Sequence, residues 1–161
     1  MLILLVMVST QSQILENILN YDRVNLYDLK YGDHIFRSGA IFKNSIFTHH
    51  GIFIGNNNVI HFSGGEGNSK DLGKDIKNAK ISVTSFDNFM SNNTKCYKIK
   101  DNHLQNHPDL ILSRALSKLG TDFGGYDVAN NNCEHFCNWC RTGEKVSYQT
   151  DLITKVSKKI I

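Results

Sequence analysis

The sequence has little of the features that mark several common classes of protein. Its 161 residues include one proline and one tryptophan, and no repeat or Pro-rich or Gly/Ser-rich linker divides the chain. The formal net charge is only +3, with the lysines scattered, so the basic surface that a nucleic-acid partner requires is missing. A chain of this size can bury one core, and we expect one globular domain that does not bind nucleic acid.

A long apolar run is missing as well. The run at the start, MLILLVMV in residues 1–8, is much shorter than the roughly 20 residues that a membrane-spanning helix needs. It also lacks the basic residues that precede the apolar part of a secretory signal, although a weak signal peptide stays open as an alternative.

Cysteines are few but concentrated. Three of the four lie in NNNCEHFCNWCRTG, residues 130–143. Cys133, Phe136, Cys137 and Cys140 follow the i, i+3, i+4, i+7 spacing, which predicts one face of a helix that ends at the glycine. Cysteines this close on one helix do not form a disulfide framework, so we expect free thiols, a reducing compartment and a cytoplasmic location.

The rest of the chain indicates an α+β fold. THHGIFIG and NVIHFSG predict an antiparallel hairpin, because GNNN between them supplies residues that tolerate a positive φ. Pro108 opens a helix that runs to Leu119, with its leucines, isoleucine and alanine spaced for burial. The other predictions are a helix over 11–20, strands in DHIFRSG, ISV and KCYKI, a helix FDNFM capped by Ser85, and a loop over 64–75.

Two histidines belong to the predicted hairpin. His49 lies near the start of one strand and His61 near the end of its partner, so antiparallel pairing can bring both imidazoles to the same end of the sheet. The alternative for each is a structural histidine at a sheet edge.

Cys133 stands in the first turn of the predicted cysteine helix, whichever of Asn131 and Asn132 is its N-cap. With Asn131 as the cap, Glu134 would complete a capping box. His135 points about 200° around the helix from Cys133, and we interpret it as a surface or supporting residue.

The position of Cys133 favours a reactive thiol without being sufficient for one. Unpaired N–H groups and the helix dipole stabilise a thiolate at a helix N-terminus, but the dipole contributes only about 0.3 to 1 kcal/mol, less than about one pKa unit. An imidazole is therefore needed as general base, with a polar group to orient it. His49 and His61 are the candidates that the hairpin offers.

Other interpretations of the cysteine helix are weaker. Cys137 and Cys140 form a CxxC, but in redox proteins that motif opens its helix, whereas here a full turn precedes it. A structural zinc site would need a second pair of ligands, and the sequence has no further CxxC or HxxxH. Burial as small apolar residues suits both cysteines, and Trp139 is interpreted as a packing residue.

The motifs together resemble a known family. NCEHFCNWCRTG is similar to the cysteine motif of the lecithin retinol acyltransferase family, which includes the HRAS-like suppressor phospholipase/acyltransferases and belongs to the wider NlpC/P60 papain-like group. HHGIFIG resembles its histidine strand, VIHF its second histidine, YGDHIF its opening strand, and RALSKLG the helix before the cysteine segment. The resemblance covers roughly residues 28–143 in consistent order.

This resemblance implies a fold and a set of roles. The fold would be a circularly permuted papain-like α+β domain over 26–146, between an N-terminal segment, 1–25, and an amphipathic tail, 147–161. Cys133 would be the nucleophile that carries an acyl chain as a thioester, His49 its general base, and His61 the residue that orients the base. His50 falls where the family has an aromatic residue, so we do not assign it to catalysis. No cofactor and no metal are implied.

The resemblance also implies a reaction. A glycerophospholipid would acylate the cysteine, and water, an amine or an alcohol such as retinol would take the acyl group, as in a phospholipase A1/A2 or an acyltransferase. The tail would allow peripheral membrane contact, or it would dock on the core instead. The alternatives are an NlpC/P60-type amidase or peptidase and a non-enzymatic binding module on the same scaffold.

Overall fold

The computed structural model describes residues 21–42, 45–64, 76–101 and 105–151. The predicted helix over 11–20, most of the predicted loop over 64–75, the apolar run at 1–8 and most of the tail lie outside the described residues. Six strands are described, β1 (Tyr21–Val24), β2 (His34–Phe42), β3 (Ser45–Gly55), β4 (Asn58–Ser63), β5 (Lys80–Ser85) and β6 (Cys96–Ile99), with three α-helices, α1 (Phe86–Met90), α2 (Pro108–Ser117) and α3 (Cys133–Thr142). Short 3-10 helices lie at Leu26–Asp28 and Ile76–Asn78.

The described strands form one antiparallel sheet in the order β1-β6-β2-β3-β4-β5. The α+β class with an antiparallel sheet is confirmed. β1 was not predicted, because four residues with a mixed burial pattern carry little periodic signal.

The β3–β4 hairpin confirms the turn chemistry of the sequence. Gly55, Asn56 and Asn57 all have positive φ, at 86°, 48° and 57°, a conformation that glycine and asparagine adopt more readily than other residues. The pairing places Gly51 opposite His61 and stops there. Beyond that pair, the residues that the structure describes give the edge of β3 that faces β4 no further strand partner.

The two faces of the sheet carry different helices. Ile52, Ile60 and Phe62 pack with Phe136 and Cys137 of α3. The opposite face holds a second cluster in which α1 covers the sheet; its buried members are Ile35, Phe53, Val59, Phe89, Met90 and Cys96. Since side chains alternate along a strand, His49 and His61 belong to the α1 face, whereas α3 lies on the other.

Gly51 allows the close packing of α1 on the hairpin. A Cβ added at this residue would lie 2.5 Å from Cγ1 of Val59 and 2.9 Å from Cε2 of Phe89. Any side chain there would displace the Phe89 ring, which lies beside the rings of His49 and His61 with centroids 5.4 and 5.8 Å away.

Helix α2 begins at Pro108 as predicted, but its burial differs from the prediction. Ile111 and Ala115 are fully buried. The helix rests on α3 and the sheet through this narrow strip, because the sheet face is already covered by α3. Contrary to the expected burial, three leucines of this region are exposed, Leu110, Leu116 and Leu119.

Candidate active site

The two hairpin histidines form a hydrogen-bonded pair. Nε2 of His49 lies 2.8 Å from Nδ1 of His61, and the two rings meet edge to face. The predicted convergence of these imidazoles is confirmed. In the described part of the chain, Nδ1 of His49 makes no hydrogen bond, so this nitrogen is available to a further partner.

Both imidazoles are neutral at physiological pH. Burial lowers the pKa of His49 well below its ordinary value, and the nearby charges of His61 and Arg37 lower it further. Burial, with the charge of Arg37, lowers the pKa of His61 to about 4. A neutral imidazole is the form that can accept a proton.

Cys133 is the first residue of α3, and its N-cap is Asn132. Oδ1 of Asn132 accepts from N–H of Glu134 at 2.9 Å and of His135 at 3.2 Å. The capping box is completed by Nδ1 of His135, which accepts from the Asn132 N–H at 3.1 Å. Of the two caps that the sequence left open, Asn132 is the one observed, and the box with Glu134 does not form because this cap makes His135 the third helical residue. The N–H of Cys133 takes no part in the box and donates to the hydroxyl oxygen of Tyr126.

His135 is buried and not on the surface. It is 6% exposed, because its ring closes the capping box instead of extending into solvent. Of the two interpretations of His135, a surface residue or a supporting residue, its position agrees with the second.

The sulfur of Cys133 lies against the backbone on both sides of His49. Sγ donates to the carbonyl oxygen of Thr48, with 3.8 Å between the two atoms, and the N–H of His50 is placed to donate to the thiolate form. No hydrogen bond joins this sulfur to either hairpin imidazole in the residues described. The sulfur and the imidazoles share one cation, since Arg37 interacts electrostatically with Cys133, His49 and His61.

Burial dominates the acidity of Cys133. Only 4% of the residue is exposed, and burial raises the pKa of the thiol to about 11 despite the hydrogen bonds from the N–H groups of His50 and Glu134 and from Tyr126. The expectation that the helix terminus favours a thiolate is thus outweighed, because a dipole effect of less than about one pKa unit is smaller than this desolvation. The resting pair is a neutral thiol and a neutral imidazole.

Two residues near the sulfur were not predicted. The hydroxyl of Tyr126 hydrogen bonds with Cys133, and burial and the thiolate charge raise the pKa of this tyrosine. Arg37 faces His49 in the β2–β3 register and donates to the carbonyl of Phe89. Tyr126 precedes the helix in an irregular loop without periodicity, whereas the position of Arg37 follows only from a strand register that the sequence leaves open.

His50 occupies the face of the sheet opposite to His49. Its Nδ1 lies 2.7 Å from Nε2 of His34, and its Nε2 lies 2.6 Å from Oγ1 of Thr48. Burial lowers the pKa of His50 to about 3. The ring is fully buried and its nitrogens are occupied, which separates it from the hairpin pair.

The remaining cysteines behave as core residues. Cys137 and Cys140 are fully buried, and all four cysteines are free thiols, as predicted. Burial raises the pKa of Cys96 to about 12 and that of Cys137 well above its ordinary value. Trp139 packs against the same core cluster, as predicted. Within the described residues, no group of three histidine, cysteine or acidic side chains is placed to hold a metal ion.

The described helices are all too short or too polar to cross a bilayer. This finding covers the ranges that the structure describes and leaves residues 1–20 and 152–161 aside.

Comparisons with known proteins assign the chain to a family. The chain is 31% identical to human lecithin retinol acyltransferase over 133 residues, which cover 71% of this chain and 57% of that protein. It is 25% identical to the protein LEAD-SENSITIVE 1 of Arabidopsis thaliana over 164 aligned positions, 75% of this chain and 60% of that protein. The chain thus spans somewhat more than half the length of these relatives. The sequence model of the lecithin retinol acyltransferase family matches residues 27–146, and the chain belongs to this family.

Proposed function

We propose that the protein is a cysteine acyl-transfer enzyme that acts on glycerophospholipid acyl esters. Cys133 would be the nucleophile, His49 the general base and His61 the residue that orients the base. The observation that carries the proposal is the neutral His49–His61 pair beside a helix N-terminal thiol that lies against the Thr48–His50 backbone.

The direction of the hydrogen bond between the imidazoles decides which nitrogen of His49 can act as base. Only one ring can donate in a bond between two neutral imidazoles. If His49 donates from Nε2 to Nδ1 of His61, its Nδ1 carries the lone pair and can accept the thiol proton. His61 would then hold this tautomer and the ring orientation, which is the role of the third member of a triad.

The chemical step follows from a neutral pair. In acylation, the proton of Cys133 passes to Nδ1 of His49 as the sulfur attacks the ester carbonyl, and the imidazolium returns that proton to the departing lysophospholipid alkoxide. A thioester on Cys133 and a lysophospholipid alcohol are formed. In the second half-reaction, His49 takes a proton from the acceptor, the acceptor oxygen or nitrogen attacks the thioester, and the thiol is restored.

Two donors near the sulfur support stabilisation of the tetrahedral intermediate. The N–H of Cys133 lies outside the cap, which accepts from the next two N–H groups, and in the resting site it donates to the Tyr126 hydroxyl oxygen. The hydroxyl of Tyr126 is a second donor at the sulfur. Donors held in place before the reaction are the main source of oxyanion stabilisation in acyl transfer.

The substrate class rests on the family. The name of the human relative states a lecithin donor and a retinol acceptor for that protein, and we infer a phospholipid donor here. The acceptor is water, an amine or an alcohol, which corresponds to a phospholipase A1/A2 or an acyltransferase. We also propose a circularly permuted papain-like topology, since the histidine hairpin precedes the cysteine helix in the chain, a catalytic domain over 26–146, and peripheral contact with membranes.

Mass spectrometry with a phospholipid tests the function directly. Incubation with phosphatidylcholine vesicles is expected to add the mass of one acyl chain to Cys133, and hydroxylamine is expected to remove it, because thioesters react with hydroxylamine. The Cys133→Ser variant should gain no hydroxylamine-sensitive mass, while Cys137→Ser should behave like the unchanged protein. Cleavage of a peptidoglycan-type peptide without lipid acylation would support the amidase instead, and no adduct with either substrate would support a binding module.

A further inference from the structure

Gln149 fills the gap that opens where β3 and β4 separate. The N–H of Thr48 points away from β2 and donates to Oε1 of Gln149 at 2.8 Å. In an extended sheet this group would bond to a neighbouring strand, but the β3–β4 pairing ends at Gly51. A side chain from a distant part of the chain therefore accepts the bond that a strand would accept in an extended sheet.

The amide nitrogen of the same side chain reaches the cysteine helix. Nε2 of Gln149 donates to Oε2 of Glu134 at 3.0 Å and lies 3.1 Å from Nε2 of His50. Glu134 is fully buried and directly follows Cys133, while Gln149 is 4% exposed. The amide of Gln149 thus connects Thr48 and His50, on either side of His49, to Glu134, which follows Cys133.

Glu134 is held by several donors from one short segment. Its carboxylate accepts from Oγ of Ser147 at 2.5 Å, from the Tyr148 N–H at 3.2 Å and from the Gln149 N–H at 3.2 Å. Ser147 also starts a helical turn, since its carbonyl accepts from the Asp151 N–H at 3.2 Å. The segment is anchored before its glutamine side chain reaches β3.

The bonds determine the orientation of the amide and the position of two protons. Since the Thr48 N–H must meet an acceptor, Oε1 faces Thr48 and Nε2 faces His50, so His50 accepts at Nε2 and carries its proton on Nδ1. His50 then donates to Nε2 of His34 at 2.7 Å, which leaves the proton of His34 on Nδ1. This Nδ1 is buried and has no hydrogen-bond partner within the ranges that the structure describes, so the described series of donors ends at His34.

We propose that Gln149 is a positioning residue of the acyl-transfer reaction. It fixes the strand segment 48–50 against the first turn of α3, and it thereby sets the separation between the imidazole of His49 and the sulfur of Cys133. The inference rests on the proposed function, and it assigns a role to a residue that lies beyond the matched family region, which ends at 146.

Replacement of Gln149 by methionine separates the effect of its amide hydrogen bonds from the effect of its side-chain volume. Gln149→Met keeps the length of the side chain and removes its amide, so the strand loses its tie to Glu134 while the site keeps its packing. The rate of thioester formation from phosphatidylcholine is expected to fall at least about tenfold, with KM changed less than about twofold, since small misplacements of reacting groups mainly affect the chemical step. Tyr148→Phe is the matched control: it changes an exposed ring in the same turn and should leave the rate unaltered.

A second variant tests the inference if Gln149→Met fails to fold. Gln149→Glu keeps the acceptor for the Thr48 N–H but removes the donor to Glu134 and His50. It should also slow thioester formation at least about tenfold, and the ¹⁵N chemical shifts of His50 should change because its tautomer is no longer fixed. Unchanged thioester formation in either folded variant would overturn the inference.

Coupling to His49 distinguishes this inference from the proposed function. Cys133 alkylation by iodoacetamide is compared in Gln149→Met, His49→Gln and the double variant. If Gln149 acts by placing His49, the His49 change has little further effect in the Gln149→Met background. If the unchanged protein forms no thioester but the variants show this coupling in alkylation, the lipid substrate is refuted and the positioning role is retained. If the effects of the two substitutions on alkylation are fully additive, the positioning role is refuted.

Discussion

Nε2 of His49 and Nδ1 of His61 are 2.8 Å apart, on adjacent strands of one hairpin. The bond joins a residue of β3 beyond the described β3–β4 pairing to the last residue of β4 in that pairing, which places the base where the described part of the sheet opens. Burial keeps both rings neutral, so the pair can accept a proton without first losing one.

Replacement of His49 tests its role as base. His49→Gln should slow Cys133 thioester formation by about 100-fold or more, since general-base catalysis contributes about 10² to 10⁴. His50→Gln, on the neighbouring residue, should cost less activity, although it removes a buried hydrogen-bond partner of His34. Single-turnover acylation with both variants checks this, and a larger loss in His50→Gln would place the base on the opposite face of the strand.

The acidity of Cys133 predicts how its alkylation depends on pH. Because the pKa of the Cys133 thiol is about 11, the thiolate fraction rises about tenfold for each pH unit between pH 7 and 10. The rate of iodoacetamide modification of the resting protein should rise in parallel, and Cys133→Ser provides the background from the other thiols. A rate that is constant across this range would instead indicate an ion pair formed before substrate binds.

The buried histidines predict loss of stability in acid. Folding lowers the pKa of His61 from 6.5 to about 4 and that of His50 to about 3, so the unfolded chain binds more protons between these values and pH 6.5. The contribution to stability is complete above pH 6.5 and decreases as the pH falls towards the folded values. Urea unfolding at pH 7.5, 5.5 and 4.5 should show a falling midpoint, and a smaller decrease in His61→Asn than in the unchanged protein.

Tyr126 is expected to act on the intermediate more than on the fold. Tyr126→Phe keeps the ring that packs against Phe62, whose centroid is 4.8 Å away, and removes the hydroxyl at the sulfur. Thioester formation should slow by about 10- to 100-fold, below the loss of about 10² to 10³ for a dedicated oxyanion donor, with Tm little changed. Tyr97→Phe, in β6 away from the sulfur, is the control, and equal losses in both variants would argue against this role.

Local sequence signals were sufficient for the elements that carry the site. The turn residues gave the hairpin, Ser85 caps α1 by accepting from the Asn88 N–H, and Gly143 ends α3 with a φ of 84°. Each depends on neighbours within a few residues. The histidine pair followed from the hairpin, because His49 lies two residues from Gly51, the register partner of His61, and diagonal neighbours on one face of a hairpin are within reach of each other.

Long-range contacts account for what the sequence did not give. The pKa of Cys133 depends on how completely α3 is buried, and the exposed leucines of α2 depend on which sheet face is already covered. Gln149 bonds to residues about one hundred positions earlier, and no spacing rule connects the two segments. The sequence left the cap of α3 open between Asn131 and Asn132, because two adjacent asparagines are equally good caps.

The tight fit above Gly51 offers a way to judge uncharacterised members of the family. A homologue that keeps both histidines but carries alanine or serine at this position cannot seat an aromatic ring where Phe89 lies, so water would reach the imidazoles from that side. Their basicity would rise, and such a homologue should need a higher pH for turnover.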